Sequence, residues 1–196
     1  TASPSPTPSV TPPPTGQPLA LVTSGKWGST DQRLTAFDPY TRTEVWRVPF
    51  PAGSSPGCIA VHPSGTKAYV CEAKDTSPSS PPPPGNIAVV DLLTRTIVAR
   101  IPIGVIPSQA AVSPDGSRLY VTDWGKWTGG PTAGSGGLTV IDTATNAILG
   151  KVMMGLGSGV EVSRDGSVIY ATSQTRNELW VINAALADSC PILSSF

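Results

Sequence analysis

The sequence is poor in the residue types that catalytic and metal sites use most. It contains one histidine and three cysteines in 196 residues. A lone histidine excludes a His-cluster metal site, and a Ser-His-Asp triad would depend on His62 alone. No phosphate-binding loop, zinc-ligand spacing or dinucleotide fingerprint is present. We therefore expect neither a metal nor a cofactor, and no catalysis.

Charged residues are also scarce, and their signs balance. Thirteen basic and thirteen acidic side chains give a formal net charge of zero. Nucleic-acid binding and polybasic membrane contacts both need a basic surface, so neither is expected. No apolar run approaches the roughly 20 residues of a membrane-spanning helix, so no membrane span is expected. Because Thr1 brings neither an initiator methionine nor a signal-peptide pattern, we expect a processed or excised segment.

Long helical patterns are missing as well. No stretch keeps apolar residues at helical spacing for three turns. Instead, 20 glycines and 22 prolines punctuate short runs of Val, Ile, Leu, Tyr and Thr. Such runs, bounded by Pro-Asp-Gly, Asn or Gly clusters, are typical of an all-β fold.

Two segments are too rich in proline to join a sheet. Residues 1–18 contain seven prolines and little that a core could bury, which predicts a disordered or extended arm or linker. Ser and Thr between these prolines fit an O-glycosylated stalk, and a bare linker is an equally good interpretation. A second island at 77–85 is predicted to be a surface loop, because consecutive prolines cannot continue a strand ladder.

Self-comparison reveals a repeat at nearly fixed spacing. The first shared element is CIAVHPSGTKAYVC at 58–71, QAAVSPDGSRLYVT at 109–122 and GVEVSRDGSVIYAT at 159–172. The second shared element lies at 86–104 and 137–155, with an earlier copy at 33–51 and the start of a last one at 178–186. A period of about 50 residues with four short strands predicts β-propeller blades. The repeats extend over residues 19–186, with blade breaks near 57, 108 and 157.

Two of these motifs also resemble a known family. VSPDGSRLYVTD (112–123) followed by LTVIDTATNAILGKV (138–152) is similar to the YVTN-type β-propeller repeats of microbial secreted and surface proteins. The resemblance covers roughly residues 19–186, although the copies diverge at 69–72 and 170–173. It implies a propeller scaffold, commonly at the cell surface or outside the cell. It implies no reaction, because functions on propellers reside in their loops.

The repeats do not add up to a whole number of blades. About fourteen strands are expected, or three and a half blades, whereas autonomous propellers close with about four to eight. Three explanations fit: a piece of a longer propeller, a strained four-blade ring completed by residues 187–196, or protomers that complete one another as a ring or filament. We favour the last, with the tail at 187–196 as a possible donated strand.

The cysteines allow one bridge within the repeats. Cys58 and Cys71 lie symmetrically about Ser64-Gly65 in one predicted hairpin. A two-residue-loop register places them opposite each other, within disulfide reach, whereas a slipped register leaves two small buried hydrophobes. Such a disulfide fits an oxidising compartment. Cys190 is left over, which fits an intermolecular bond or a free thiol.

The remaining polar candidates are better explained by turns than by chemistry. His62 occupies the turn position that serine fills in the other copies. Asp38, Asp91 and Asp142 end equivalent strands, which favours turn-closing hydrogen bonds over general acid–base work.

Two equivalent loops carry the tripeptide Gly-Lys-Trp. SGKWGST (24–30) and DWGKWTGG (123–130) both follow the second strand of a blade, so their side chains are expected on one face of the disc. Exposed Trp beside Lys and Asp suits stacking on sugar rings or on a partner protein, and folding back over the blade edges is the alternative. The candidate binding residues are Lys26, Trp27, Trp124, Lys126 and Trp127.

Together these features favour an extracellular or cell-surface, non-catalytic propeller-repeat protein that assembles with copies of itself. The first alternative is a module that binds glycans or proteins through the Gly-Lys-Trp loops. The second is a piece of a propeller enzyme, such as a lactonase-like hydrolase, with its catalytic residues on other blades.

Overall fold

The computed structural model describes residues 18–25, 30–74, 84–104, 106–125 and 136–185, together with the backbone of 192–195. These residues form fifteen strands in four antiparallel sheets, and they include no helix long and apolar enough to cross a bilayer. The strands are β1 Ala20–Ser24, β2 Arg33–Asp38, β3 Thr43–Pro49, β4 Ser54–Val61, β5 Lys67–Lys74, β6 Asn86–Asp91, β7 Thr96–Pro102, β8 Pro107–Val112, β9 Arg118–Asp123, β10 Gly137–Asp142, β11 Ile148–Met153, β12 Gly157–Val162, β13 Val168–Ser173, β14 Glu178–Asn183 and β15 Ile192–Ser195.

Each sheet is one blade of consecutive antiparallel strands. Blade 1 contains β1–β3, blade 2 contains β4–β7, blade 3 contains β8–β11 and blade 4 contains β12–β15. Equivalent residues of the repeat pair in the same register, since Tyr69 lies opposite Val89 and Tyr120 lies opposite Val140. The sequence repeat is therefore also the structural repeat.

The turn between the first two strands of a four-stranded blade depends on glycine. Gly65, Gly116 and Gly166 have φ values of 69°, 77° and 77°, in the left-handed region where a Cβ is strained. In blade 3, the backbone N–H of Ser117 donates to Asp115 Oδ1 at 2.9 Å. The Pro-Asp-Gly motif thus fixes the reversal of the chain locally.

Three aspartates close the turns that follow their strands, as the sequence predicts: Asp38 at the end of β2, Asp91 at the end of β6 and Asp142 at the end of β10. Asp38 Oδ1 accepts hydrogen bonds from the N–H groups of Tyr40 and Thr41 at 2.8 and 3.1 Å. Asp91 and Asp142 accept the equivalent pairs. These backbone donors lower the pKa of all three carboxyl groups, which suits a charged turn residue and not a general acid.

Apolar clusters fill the spaces between consecutive blades. The cluster between blades 2 and 3 contains Tyr69 and Val89 from one blade and Leu119 and Val121 from the other. Because side chains alternate across a sheet, blades 2 and 3 bury both of their faces. The stack is continued by contacts of β1 with β4, β4 with β8 and β8 with β12. Within the described residues, no comparable contact joins the strands of blade 4 to those of blade 1.

The C-terminal tail is used within its own chain. Residues 192–195 form β15, which pairs with β14 and gives blade 4 its fourth strand. The structure therefore has fifteen strands where about fourteen were expected, and the last blade extends past residue 186. Within the single chain the tail therefore completes its own blade, and its donation to a neighbouring copy stays a prediction. The predicted break near 57 also lies inside β4, because that strand begins three residues earlier, at Ser54.

Cys58 and Cys71 form a disulfide with a Cα–Cα distance of 5.0 Å. Ile59 opposite Val70 continues the register in which the two cysteines face each other, so the hairpin is not slipped. The bridge joins the first two strands of blade 2. The Pro-rich arm at 1–17, most of the Pro island (residues 77–83) and Cys190 lie outside the described residues.

Candidate functional site

Of the five residues predicted to bind a ligand or partner, the structure describes one. Lys26, Trp27, Lys126 and Trp127 lie outside the described residues. Trp124 directly follows β9, is half-buried, and donates its backbone N–H to the Ile106 carbonyl at 3.1 Å. Its loop therefore starts against the segment that precedes β8.

A buried carboxylate that sequence reasoning missed holds the beginning of this loop. Asp123 is fully buried and its Oδ1 accepts the N–H of Gly125 at 2.7 Å and a hydrogen bond from Lys151 Nζ at 3.0 Å. Thr139 Oγ1 donates to Oδ2 at 3.4 Å. A Cβ added at Gly104 would lie 1.9 Å from Oδ1, so the adjoining blade covers the carboxylate closely.

Blade 2 has the same arrangement around Glu72. This carboxylate is also fully buried, and it accepts hydrogen bonds from Ser54 Oγ at 2.6 Å and Arg100 Nε at 2.9 Å. Burial raises the pKa of Glu72, but the hydrogen bonds from Ser54 and Arg100 outweigh burial and the pKa is lowered. Glu72 is therefore ionised at neutral pH and suited to an ion pair, not to proton transfer.

The two ion pairs fasten the outer strand of each blade to its second strand. Glu72 pairs with Arg100 and Asp123 with Lys151, and in both cases the cation lies 28 residues later in the chain. This equal offset in two aligned repeats is the signal that would have found them. The described residues contain no group of three or more His, Cys, Asp or Glu side chains able to hold a metal ion.

His62 is a turn residue in the structure, as predicted. Its Nδ1 lies 2.7 Å from Ser64 Oγ, and its Nε2 lies 3.0 Å from the carbonyl oxygen of Gly116. The ring therefore bridges the first turns of blades 2 and 3. In blade 3 the position of His62 is taken by the smaller Ser113. A cavity of about 390 Å³, lined in part by Ser113, lies between the first turns of blades 3 and 4.

The last blade exposes a face that the preceding blades bury. Tyr69, Tyr120 and Tyr170 are equivalent residues, yet the first two are 0% and 2% exposed and Tyr170 is 42% exposed. Leu179 is 40% exposed, whereas its counterparts Ile87 and Leu138 are fully buried. Because the side chains point the same way in each blade, this difference arises because no further blade among the described residues covers blade 4.

We call this surface the trailing face. Its members are Glu161, Tyr170, Thr172, Leu179 and Val181. Glu161 takes the place of two alanines that pack between blades, and it makes no ion pair within the described part of the chain. The trailing face is therefore apolar with one negative charge.

Blade 1 exposes the side of its sheet that points away from blade 2, and we call this surface the leading face. Its members are Ala20, Val22, Phe37 and Arg47, whereas Thr35, which points to the same side, is buried. Val22 is 46% exposed, while its counterparts Val70 and Val121 are fully buried. Arg47 occupies the position of the ion-paired cations in blades 2 and 3, but Ser24 stands where they have a carboxylate, and Arg47 pairs with Glu44 instead.

Comparison with known proteins places this fold in one class. No family model matches the chain, and no curated protein matches it. Solved structures do match. Hydrazine synthase from Kuenenia stuttgartiensis matches at 24% identity with a TM-score of 0.64, covering 83% of this chain and 42% of that one. The Dos1 propeller matches at 13% identity with a TM-score of 0.58, covering 85% and 39%. The chain is thus a β-propeller protein.

The likeness to these two structures extends to the fold alone, because both identities are below 25%. The chain spans about two fifths of the length of either matched chain.

Proposed function

We propose that this chain is a non-catalytic propeller scaffold that associates head to tail with copies of itself, trailing face against leading face. The observation that carries the proposal is the exposure of Tyr170 at a position where Tyr69 and Tyr120 are buried by the next blade. A surface with the composition of an interior is typical of an interaction site.

The trailing and leading faces match in two ways: their apolar residues occupy positions that pack together between the other blades, and their charges are opposite. Tyr170 and Leu179 on the trailing face would cover Val22 and Phe37 on the leading face. Glu161 is negative, and Arg47 on the opposite face is positive. Opposite charges on the two faces favour the head-to-tail arrangement over head-to-head contacts, which would bring like charges together.

We further propose that the scaffold acts outside the cell or at its surface and belongs with the YVTN-type repeats. The Cys58–Cys71 disulfide supports an oxidising compartment. The motif at 112–123 and the aligned copies support the family. Detection of the disulfide in protein taken directly from its native cells, with thiols blocked at lysis, tests the compartment.

Light scattering tests the association. The native chain is expected to show a mass of more than one protomer that grows with concentration. Tyr170→Asp combined with Leu179→Asp is expected to give monomers, because two charges would be buried in the contact. Tyr40→Asp is the matched control, since Tyr40 is 74% exposed in a turn that belongs to neither face.

Charge exchange identifies the orientation. Glu161→Arg is expected to weaken association because both faces are then positive, and adding Arg47→Glu is expected to restore part of it by making the charges of the two faces opposite again; the two side chains lie on the inner and the outer strand of their blades, so the effect acts through the charge of each face and not through a direct pair. A native chain that stays monomeric at all concentrations would refute the proposal. Association that survives the Tyr170 and Leu179 substitutions would place the contact elsewhere.

Glycan binding is a second candidate, supported by one observation. Asp123 fixes the backbone at Gly125, so the loop that begins with the half-buried Trp124 starts from a rigid point. On a glycan array, saturable binding that is lost in a variant with Trp27→Ala and Trp127→Ala would support it. Equal signals from the native chain and this variant would count against it.

A further inference from the structure

A histidine ring fits between the first turns of blades 2 and 3. His62 Nε2 donates to the Gly116 carbonyl oxygen at 3.0 Å, and its Nδ1 lies 2.7 Å from Ser64 Oγ. A Cβ added at Gly116 would lie 2.5 Å from His62 Nε2, so the ring fills the space against this glycine. The same carbonyl also accepts a hydrogen bond from Thr143 Oγ1, which gives it two side-chain donors.

The same space between blades 3 and 4 is open. It is a cavity of about 390 Å³, a volume within the range of small-molecule sites. Ser113 stands here in place of His62, and its Oγ donates to Asp115 Oδ1 at 2.6 Å within its own turn. A Cβ added at Gly166 would lie 3.4 Å from its nearest neighbour, Pro114 Cδ, so no ring packs against this glycine. The cavity therefore has the place of the His62 ring without the ring.

Compared with the filled space, the cavity has fewer hydrogen-bond donors and one more acceptor. Ala184 stands in place of Thr143, so the second donor to the glycine carbonyl is absent as well. Asp115 stands in place of Ser64, which adds a carboxylate. Among the described residues, no side chain donates to the Gly166 carbonyl, whereas its counterpart in blade 3 has two such donors. A ligand that fills the cavity must therefore bring the donors.

The charge of the lining favours the same kind of ligand. Asp115 lines the cavity from the turn of blade 3 and Asp165 from that of blade 4. A serine hydroxyl two residues earlier, with further donors in the same turn, lowers the pKa of each carboxyl group to about 2, so both are ionised at neutral pH. The turn bonds of Asp165 all use Oδ1, which leaves Oδ2 available. Arg118 also lines the cavity, but it forms an ion pair with Asp142 at 3.1 Å.

We propose that the cavity between the first turns of blades 3 and 4 binds a small planar cation of the imidazolium class, which takes the place of the His62 ring. One N–H would donate to the Gly166 carbonyl. The other would face Asp115, which stands where Ser64 contacts the ring in blade 2. The site does not depend on the association of copies, because the trailing face lies on the other side of blade 4.

The probe is 4-methylimidazole, which is a histidine side chain without its backbone. At about pH 6 most of it is protonated, while both aspartates stay ionised. Titration into the full chain labelled with nitrogen-15 is expected to shift the amide signals of Gly166 and Ser167 saturably, with a dissociation constant on the order of 1 mM for so small a ligand. The control probe 4-methylthiazole has a similar shape but no N–H and no charge at this pH, and it should bind about tenfold more weakly.

Two substitutions introduce residues that the chain itself uses in blade 2. Ser113→His supplies a ring from the protein, as His62 does, and should abolish binding of the probe. Asp115→Ser supplies the residue found at Ser64 and should weaken binding about tenfold, because a charge-assisted hydrogen bond is lost. Thr41→His is the matched control, since it adds a histidine to an exposed turn of blade 1 and should leave the affinity unchanged.

Saturable shifts that disappear in Ser113→His and persist in Thr41→His would support the proposal. No saturable shift in the native chain, or an unchanged affinity in Ser113→His, would overturn it. Equal binding of the two probes would also overturn it, because a cavity that takes any ring of this size selects neither donors nor charge. If Ser113→His does not fold, the two probes and the Asp115→Ser variant decide the question. Light scattering on the same samples reports self-association separately, so either proposal can fail alone.

Discussion

Tyr120 and Tyr170 offer a matched comparison within one chain. They occupy the same position of the repeat, and their local strand pairing is the same, since each faces a valine on the third strand. They differ in what covers them: Tyr120 lies in the cluster between blades 3 and 4, and Tyr170 is 42% exposed on the trailing face. Substituting each by alanine therefore isolates the contribution of the covering blade.

The expected losses of stability differ by severalfold. Removing a fully buried aromatic ring from a packed cluster costs about 3–5 kcal/mol, so we expect a loss in this range for Tyr120→Ala. Tyr170→Ala removes a ring that water already reaches, and a loss of about 1 kcal/mol is expected. The measurement is urea unfolding followed by circular dichroism and by tryptophan fluorescence, at a concentration where the chain is monomeric.

The concentration dependence completes this comparison. If copies associate through the trailing face, the cost of Tyr170→Ala should rise with protein concentration, while that of Tyr120→Ala should not. Equal losses for the two variants in the monomer would refute the reasoning. They would mean that Tyr170 is covered within a single chain and that the blade stack is closed.

Three further results are expected. Replacing Cys58 and Cys71 with serine should lower the free energy of unfolding by about 3 kcal/mol, and dithiothreitol should then have no further effect, unlike on the native chain. Glu72→Gln should cost about 2 kcal/mol at pH 7. Because the pKa of Glu72 in the folded chain lies below the ordinary value of about 4.5 for a glutamate, the native chain has this advantage above that pH and should lose it as the pH falls through the lowered pKa. A difference that stays constant with pH would contradict the ion pair. In carbon-13 NMR titrations, Asp115 and Asp165 should show a pKa of about 2, since a serine hydroxyl two residues earlier donates to each; titration near 4 would exclude these bonds in solution.

Local chemistry explains what could be predicted from the sequence. Asp91 and Asp142 close their turns through N–H groups two and three residues away, so the motif contains everything the turn needs. The pairing of Cys58 with Cys71 follows from their symmetric placement about one tight turn. A fixed period repeats these local solutions and predicts blades.

Pairs formed across strands were missed because their partners are far apart in the chain. Glu72 and Arg100 meet across an intervening strand, as do Asp123 and Lys151, and neither carboxylate stands out in its own segment. The sequence could not assign residues 192–195 to a blade, for a different reason. This segment has no repeat motif, and only its pairing with β14 assigns it to the last blade.

The sequence by itself determined the blades, because strand, turn and register depend on residues within a few positions of one another. Only the tertiary structure decided which blade faces are covered. Tyr69 and Tyr170 occupy the same position of the repeat, yet one is buried and the other exposed, because burial depends on whether another blade lies against the sheet. The same holds for the outer edge of the β1–β3 sheet at β1, which pairs with no strand among the described residues.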